Sequence, residues 1–295
     1  MATGSFSLPA REPFELASVA LSHGWVQLKP FDYDPEAHAL TYVASVNGAV
    51  TQVTITELVD RPGVSVTGDR RLSPSARSAL GSQVTWMLGL DQDLAPFYEL
   101  ARGEPKLAHV IDGAHGRILR SGSFFEDTVK TILTTNTSWA GTKRMVAALV
   151  DRHGSQHPAD ADRHAFPTPA QLAAVDPAEL REAGLGYRAP YISELARSIV
   201  AGETDLEGVC ESTAGTDEIR KRLLAIKGIG GYAAAVLLML LERYDFVPID
   251  SWARTMVSRE WHDGEPVGDA EIKAAFERWG TWQGLAYWFW AWSQA

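Results

Sequence analysis

A short glycine-rich segment most constrains what this chain can fold into. Residues 223–232 read LLAIKGIGGY, and an apolar run follows directly. Leu223 and Ile226 lie three residues apart, so one helix face is apolar up to Lys227. Gly228-Ile229-Gly230-Gly231 ends that helix, because glycine adopts positive φ without a steric penalty. The segment therefore predicts two helices joined by a tight turn, the second at residues 232–243.

The tip of such a hairpin leaves amide N–H groups unpaired at the start of its second helix. Unpaired amides at a helix N-terminus bind anions well, and phosphate above all. A buried structural hairpin with a capping glycine carries the same pattern, so this segment alone leaves both interpretations open.

An aspartate follows the second helix in the sequence Val247-Pro248-Ile249-Asp250. Proline disfavours helix before it, so Asp250 stands where a new helix begins. An N-cap is the ordinary role of such a residue. A carboxylate held there beside apolar neighbours is also placed to stabilise a developing cation or to align a water molecule.

Composition excludes several classes of protein. The chain has 295 residues, 45% of them hydrophobic, and one cysteine, Cys210. An internal disulfide and a cysteine-ligated zinc or iron–sulfur site within one chain are therefore excluded. We see no membrane-spanning stretch and no signal peptide, and we expect a cytoplasmic protein, associated with the nucleoid if it is bacterial.

The formal net charge is −10, which has the wrong sign for a nucleic-acid binder. Local distribution decides binding, however, and we predict a basic face on an acidic protein. Its candidates are Arg117, Arg120, Lys130, Lys143, Arg144, Arg188, Lys221, Arg222, Lys227 and Arg254.

The periodicity predicts an α+β protein with an antiparallel β domain at residues 1–73 and a helical domain at 74–295, which could divide into two helical subdomains. Residues 14–72 are rich in β-forming residues, with a tight turn at Asn47-Gly48. Helices are predicted at 74–88, 94–102, 124–135, 139–153, 169–175, 177–183, 189–201, 217–226, 232–243, 251–261, 269–279 and 282–292. Residues 155–160 are predicted to form an exposed loop.

The hairpin, the apolar helix and the V-P-I-D sequence together resemble the helix-hairpin-helix (HhH-GPD) DNA glycosylases. Four further stretches resemble the 8-oxoguanine glycosylase branch. They are GRILR at 116–120, Asn136 within TTNTS, Phe166-Pro167, and GLGYRA at 184–189. The N-terminal β region resembles the small domain found in that branch and in the alkylpurine glycosylases.

The resemblance implies how the chain binds double-stranded DNA. The DNA phosphate would contact the hairpin at Lys227, Gly228, Gly230, Gly231 and Tyr232. Backbone carbonyls would bind a DNA-linked monovalent cation, K⁺ or Na⁺, and no other cofactor is implied. Those carbonyls belong to Leu224, Ile226 and Ile229.

The resemblance also implies that a damaged base is flipped out of the duplex. Asn136 would fill the vacated space, and Tyr187 and Arg188 would contact the opposite strand. Asp250 would stabilise the oxocarbenium-like sugar as the N-glycosidic bond breaks. The candidate base pocket comprises Trp25, Trp252, Tyr287, Trp288 and Ala291.

Tyr287 and Ala291 align with the glutamine and phenylalanine that contact the base in the 8-oxoguanine enzymes. Trp288 and Trp292 would share one helix face. Ordinary core packing is the alternative for these aromatic side chains. An electron-rich pocket would suit a cationic alkylated purine, which we slightly favour over 8-oxoguanine while leaving both open.

Two departures from the family pattern bear on the chemistry. Bifunctional members carry a lysine that attacks the sugar, and Tyr232 stands at that position. Lys227 replaces the usual hairpin proline. We therefore expect a monomeric, monofunctional glycosylase without strand cleavage. A non-catalytic DNA-damage binding protein and a structural protein without a DNA role are the alternatives.

Overall fold

The computed structural model describes residues 4–291, and its N-terminal part is an antiparallel sheet. The strands are β1 (Ser5–Pro9), β2 (Phe31–Asp34), β3 (Ala39–Val46), β4 (Ala49–Glu57) and β5 (Gly63–Gly68), in the order β1-β5-β4-β3-β2. The predicted turn joins β3 to β4, where Asn47 and Gly48 both have positive φ and Val46 pairs with Ala49. A mostly helical region follows, so the predicted α+β class is confirmed.

The sheet begins earlier than the sequence indicated. Strand β1 lies before the predicted β region and pairs with β5, about 60 positions further along the chain. Within the region predicted as β, the structure has a short helix, α1 (Leu16–Ala20), and a 3₁₀ turn at Gly24–Gln27. The sequence missed β1 and wrongly assigned these two helical segments to the β region, because elements of four or five residues are too short to show a period.

Fourteen further α-helices are described, several with the bounds that their capping residues predict. They are α2 (Pro74–Leu88), α3 (Ala95–Ala101), α4 (Ala108–Asp112), α5 (Phe124–Thr134), α6 (Trp139–His153), α7 (Pro169–Ala173), α8 (Pro177–Leu180), α9 (Ala189–Val200), α10 (Leu206–Cys210), α11 (Thr216–Leu224), α12 (Gly231–Leu240), α13 (Ser251–Trp261), α14 (Asp269–Phe276) and α15 (Gln283–Trp288).

Two predictions about the helical region need correction. The predicted loop at 155–160 contains β6 (Gln156–His157) and the first residue of β7 (Asp160–His164), which pair as a two-stranded ribbon. The last predicted helix ends at Trp288, and Trp292 lies outside the described residues.

The chain divides into two compact units. One comprises residues up to Gln92 together with Arg117–Glu207, and the other comprises Asp93–Gly116 together with the residues from Gly208 onwards. The sheet and α2 therefore share a unit with helices α5 to α9. The domain boundary between residues 73 and 74 stays a prediction. Across the described residues, no helix is long and apolar enough to cross a membrane.

Candidate active site

The glycine-rich segment forms the predicted hairpin between α11 and α12. Helix α11 ends at Leu224, Gly228 adopts a φ of 92°, and Gly230 is the N-cap of α12. Gly230 and Gly231 are exposed, and a Cβ placed on either would meet no atom within 4 Å. The start of α12 is therefore bare backbone that a phosphate could approach closely.

The rest of α12 anchors this exposed tip. Every residue from Ala233 to Leu240 is buried, and Ile229 within the turn is buried as well. Ile229 also donates its N–H to the Ile226 carbonyl at 3.1 Å. The Ile226 carbonyl, one of the three predicted to bind a cation, thus already accepts an internal hydrogen bond. Its second lone pair remains compatible with the predicted cation contact.

Asp250 is the N-cap of α13, as its position after the proline predicts. Its Oδ1 accepts the Ala253 backbone N–H at 2.8 Å. The Tyr287 hydroxyl donates to the same oxygen at 3.4 Å. The side chain of Asp250 is half-buried, and the preceding Val247 and Pro248 are buried. The Asp250 carboxylate is therefore held in a fixed position next to buried apolar residues.

Tyr287 lies beside this carboxylate. Its side chain is buried and makes an edge-to-face contact with Phe276 at 5.6 Å. Burial raises the pKa of Tyr287 far above its usual value, and the charges of Asp250 and Tyr232 raise it further. The phenol of Tyr287 therefore stays protonated and keeps its hydrogen-bond donor beside Asp250.

The other candidate pocket residues of this unit lie in different surroundings. Trp252 follows Asp250 by two residues and is 44% exposed. Trp288 is half-buried, and Ala291 is exposed with its N–H bonded to the Lys106 carbonyl. Two neighbouring tryptophans, Trp279 and Trp290, are buried against Phe276. Core packing therefore accounts for that pair, and Trp252 is the open aromatic surface beside Asp250.

The structure brings together the three residues predicted to meet the DNA strands. Asn136, with a φ of 48°, donates from Nδ2 to the Tyr187 hydroxyl at 3.5 Å. The Arg188 guanidinium lies 4.4 Å from the Tyr187 ring and bonds to the Thr135 carbonyl. Tyr187 is 49% exposed, whereas Arg188 is buried. In this structure Tyr187 is the solvent-accessible residue, and Arg188 packs against its ring from within the protein.

Trp25 lies in the core of the sheet-containing unit. Its indole N–H donates to Asp127 Oδ1 at 2.7 Å, and its ring lies 4.7 Å from that of His23. Burial raises the pKa of Asp127 to about 6 and lowers that of His23 to about 4. The role of Trp25 in the base pocket stays a prediction, since in this structure the indole is covered.

Sequence reasoning missed the buried polar cluster next to Trp25. Lys130 is fully buried and pairs with Glu126 at 2.7 Å, and Tyr42 donates to the same carboxylate at 2.6 Å. The four-residue spacing of Glu126 and Lys130 within an apolar helix was the signal available.

The predicted basic face is wrong for four of its ten members, which are buried: Arg117, Arg120, Lys130 and Arg188. Arg117 donates to the backbone carbonyls of Arg11, Pro13, Gly89 and Gln92, so it ties chain segments together. The remaining basic candidates are exposed: Lys143, Arg144, Lys221, Arg222, Lys227 and Arg254.

Known proteins resemble this chain in sequence and in fold. A protein from Methanothermobacter thermautotrophicus, named as a probable N-glycosylase/DNA lyase, is 26% identical over 77% of this chain and 80% of its own length. The DNA-3-methyladenine glycosylase of Bacillus subtilis is 27% identical over 55% of this chain and 54% of its own length.

Two solved structures share the fold over nearly the whole chain. The 3-methyladenine DNA glycosylase from Archaeoglobus fulgidus superposes with a TM-score of 0.77 at 22% identity, covering 97% of each chain. The 8-oxoguanine glycosylase/lyase of Clostridium acetobutylicum, bound to double-stranded DNA, gives 0.73 at 20% identity, covering 94% of this chain and 91% of its own.

A helical hairpin with an open glycine tip, followed by a capping aspartate and accompanied by a small antiparallel sheet, defines a DNA base excision glycosylase fold. The model of the HhH-GPD superfamily of base excision DNA repair proteins matches residues 129–286, and the chain belongs to that superfamily. It is a DNA N-glycosylase by class, and the predicted relation to the 8-oxoguanine and alkylpurine branch is confirmed.

Proposed function

We propose that this protein is a monofunctional glycosylase that hydrolyses the N-glycosidic bond of a damaged purine in double-stranded DNA and leaves the strand intact. The observation that carries the proposal is the combination of an aspartate at position 250 with a tyrosine at position 232. A carboxylate held by two hydrogen bonds is present at the first, and a phenol stands at the second, where lyase chemistry needs an amine.

The hairpin supplies the anchor for the DNA backbone in this proposal. The bare tip at Gly230 and Gly231 admits a phosphate, and the exposed Lys227 adds a positive charge. The carbonyls of Leu224, Ile226 and Ile229 would hold the DNA-linked monovalent cation, which would supply one more charge for the phosphate. No step of the reaction passes through it.

The loop bearing Asn136 is proposed to enter the duplex where the damaged nucleotide leaves. The positive φ of Asn136 and its bond to Tyr187 support a preformed shape for that loop. Tyr187, half exposed, would contact the opposite strand, with Arg188 behind it.

Trp252 is the side chain best suited to stack on a flipped base, because it is the exposed aromatic two residues from Asp250. Its ring would stabilise a cationic base, which favours an alkylated purine over 8-oxoguanine. Trp288, Ala291 and Trp25 remain further candidates for the pocket. The relative from Bacillus subtilis is named for 3-methyladenine, which supports the same preference.

The experiment is a lesion panel on labelled duplexes that carry 7-methylguanine, a stable 3-methyladenine analogue or 8-oxoguanine. We expect base release that becomes a strand break only after alkali, with no enzyme–DNA adduct trapped by borohydride. Strand cleavage without alkali, or a trapped adduct, would contradict the monofunctional proposal.

The missing amine also favours a second candidate, a DNA-damage binding protein without catalysis. It predicts tight, salt-dependent binding to a lesion duplex with no base released from any member of the panel. The same assay, combined with a binding isotherm, therefore separates the two candidates.

A further inference from the structure

The two oxygens of the Asp250 carboxylate are in different surroundings. Oδ1 accepts both the Ala253 N–H at 2.8 Å and the Tyr287 hydroxyl at 3.4 Å. Among residues 4–291, no hydrogen bond reaches Oδ2, and the side chain is only half-buried. The carboxylate is thus fixed through one oxygen and open at the other.

Tyr287 is itself rigidly placed. Its side chain is 6% exposed, and its ring packs edge-to-face on Phe276 within the same unit. Among the described residues, the Tyr287 hydroxyl makes one hydrogen bond, which is its donation to the Asp250 carboxylate, and a buried phenol is expected to have such a partner.

We propose that Tyr287 is a positioning residue for base release, because its O–H and the Ala253 N–H immobilise Oδ1 of Asp250 and leave Oδ2 as the oxygen that meets the reaction centre. This inference rests on the proposed function and assigns the position differently from the family resemblance. In the 8-oxoguanine enzymes the glutamine aligned with Tyr287 contacts the base. In this protein the Tyr287 hydroxyl donates to Asp250 instead.

With Oδ1 of Asp250 fixed, Oδ2 is the oxygen that takes part in hydrolysis. The oxygen of a water molecule bonds to C1′ of the sugar, and the electron pair of the N-glycosidic bond leaves with the base. A purine that carries a positive charge departs neutral because it takes that electron pair, and the water passes one proton to Oδ2 of Asp250. Fixing Oδ1 removes the rotational freedom that would otherwise have to be lost when the transition state forms.

The test uses Tyr287→Phe on the duplex that the full-length wild type processes fastest. The variant keeps the ring and loses only the hydroxyl. We expect the single-turnover rate of base release to fall about tenfold, because a donor to a charged group is lost. The dissociation constant for a duplex with an uncleavable abasic analogue should stay within about twofold of the wild type.

Tyr98→Phe is the matched control. Tyr98 is also a buried tyrosine of this unit, and its hydroxyl donates to the His115 carbonyl at 2.8 Å. Its removal should leave the rate of base release unchanged.

A double mutant assigns the effect to Asp250. In an Asp250→Asn background, Tyr287→Phe should slow base release no further, since the carboxylate it positions is gone. Equal losses in both backgrounds, a loss confined to DNA affinity, or a wild-type rate for Tyr287→Phe would overturn the inference while leaving the glycosylase assignment intact.

A crystal structure of Tyr287→Phe tests the same claim without activity. We expect the Asp250 carboxylate in more than one orientation, or rotated from its wild-type position. A single unchanged orientation would overturn the inference. If the wild type releases no base from the panel, the proposed function fails, and this structure still decides whether Tyr287 holds the aspartate.

Discussion

Tyr232 stands where the family resemblance places the lysine of the bifunctional glycosylases. It is the second residue of α12, it is half-buried, and it contributes to the raised pKa of Tyr287. A phenol cannot form a Schiff base with the sugar, so water is the nucleophile in the proposed reaction. In the proposed function, this one side chain decides between hydrolysis and strand cleavage.

Replacing that phenol by an amine should restore part of the missing chemistry. Tyr232→Lys is expected to give a borohydride-trapped covalent complex with a lesion duplex, because a lysine amine can attack C1′. Denaturing gel electrophoresis of the trapped mixture detects it. Tyr232→Gln introduces no amine and is the control. Base release by Tyr232→Lys without any trapped complex would contradict the assignment of this position.

Two titratable residues that contact Trp25, His23 and Asp127, oppose each other in the pH dependence of stability. The pKa of His23 falls from 6.5 to about 4 on burial, so between these values the unfolded chain binds more protons and stability rises with pH. The pKa of Asp127 rises from 3.8 to about 6, so in much the same range the folded chain binds more protons and stability falls with pH.

Asp127→Asn should expose the contribution of His23. The amide oxygen can still accept the Trp25 N–H, but the opposing titration is gone. We expect the free energy of unfolding of the variant to rise more steeply than that of the wild type between about pH 4.5 and 6.5. Urea unfolding at several pH values measures it, and parallel profiles would show that the pair does not compensate.

The hairpin that joins α11 and α12 combines one glycine with positive φ and two glycines that have free space around them. Gly228 lies in the left-handed region, whereas Gly230 has an ordinary φ of −96° and free space around its Cα. The first glycine is required by the turn, and the second is required by nothing within the described protein. The proposed approach of a DNA phosphate to the backbone would account for a glycine there.

Substitutions at these two glycines should therefore separate folding from binding. Gly228→Ala should lower the free energy of unfolding by about 1–2 kcal/mol, because a side chain in the left-handed region is strained. Gly230→Ala should leave stability within about 0.5 kcal/mol and weaken DNA affinity at least about tenfold. Thermal unfolding and a binding isotherm measure the two effects. An unchanged affinity for Gly230→Ala would contradict phosphate binding at the tip.

Local signals predicted the first residue of each α-helix that has a side-chain cap, and for three of these helices the last residue as well. Ser73, Ser138 and Asp250 cap α2, α6 and α13, whose bounds agree with the sequence. Strand β1 and the burial of Lys130 were missed, because both depend on partners distant in sequence or on the packing of other elements. The bond from Tyr287 to Asp250 joins residues 37 positions apart and has no local signature.

At the scale of the whole molecule, the net charge of −10 opposes DNA binding, and affinity must come from local contacts. The exposed basic candidates are fewer than the sequence suggested, since four of ten are buried. Arginines and lysines in the core stabilise the fold, so a count of basic residues overestimates the binding surface.

Affinity for duplex DNA should consequently fall steeply with added salt. Each phosphate contact contributes roughly 0.9 to the slope of log K against log salt. Lys227→Gln should reduce that slope by about 1, measured by fluorescence anisotropy, whereas Lys273→Gln on the exposed face of α14 should not change it. Equal slopes for both variants would remove Lys227 from the DNA contact.

In the proposed mechanism Asp250 drives hydrolytic base release, and replacing it by asparagine tests that role. Asp250→Asn keeps an N-cap for α13 and removes the charge, and Asp176→Asn makes the same change at the cap of α8. The single-turnover rate of base release should fall at least about 100-fold for Asp250→Asn and stay at the wild-type value for Asp176→Asn. Wild-type base release by a folded, DNA-binding Asp250→Asn protein would contradict the account.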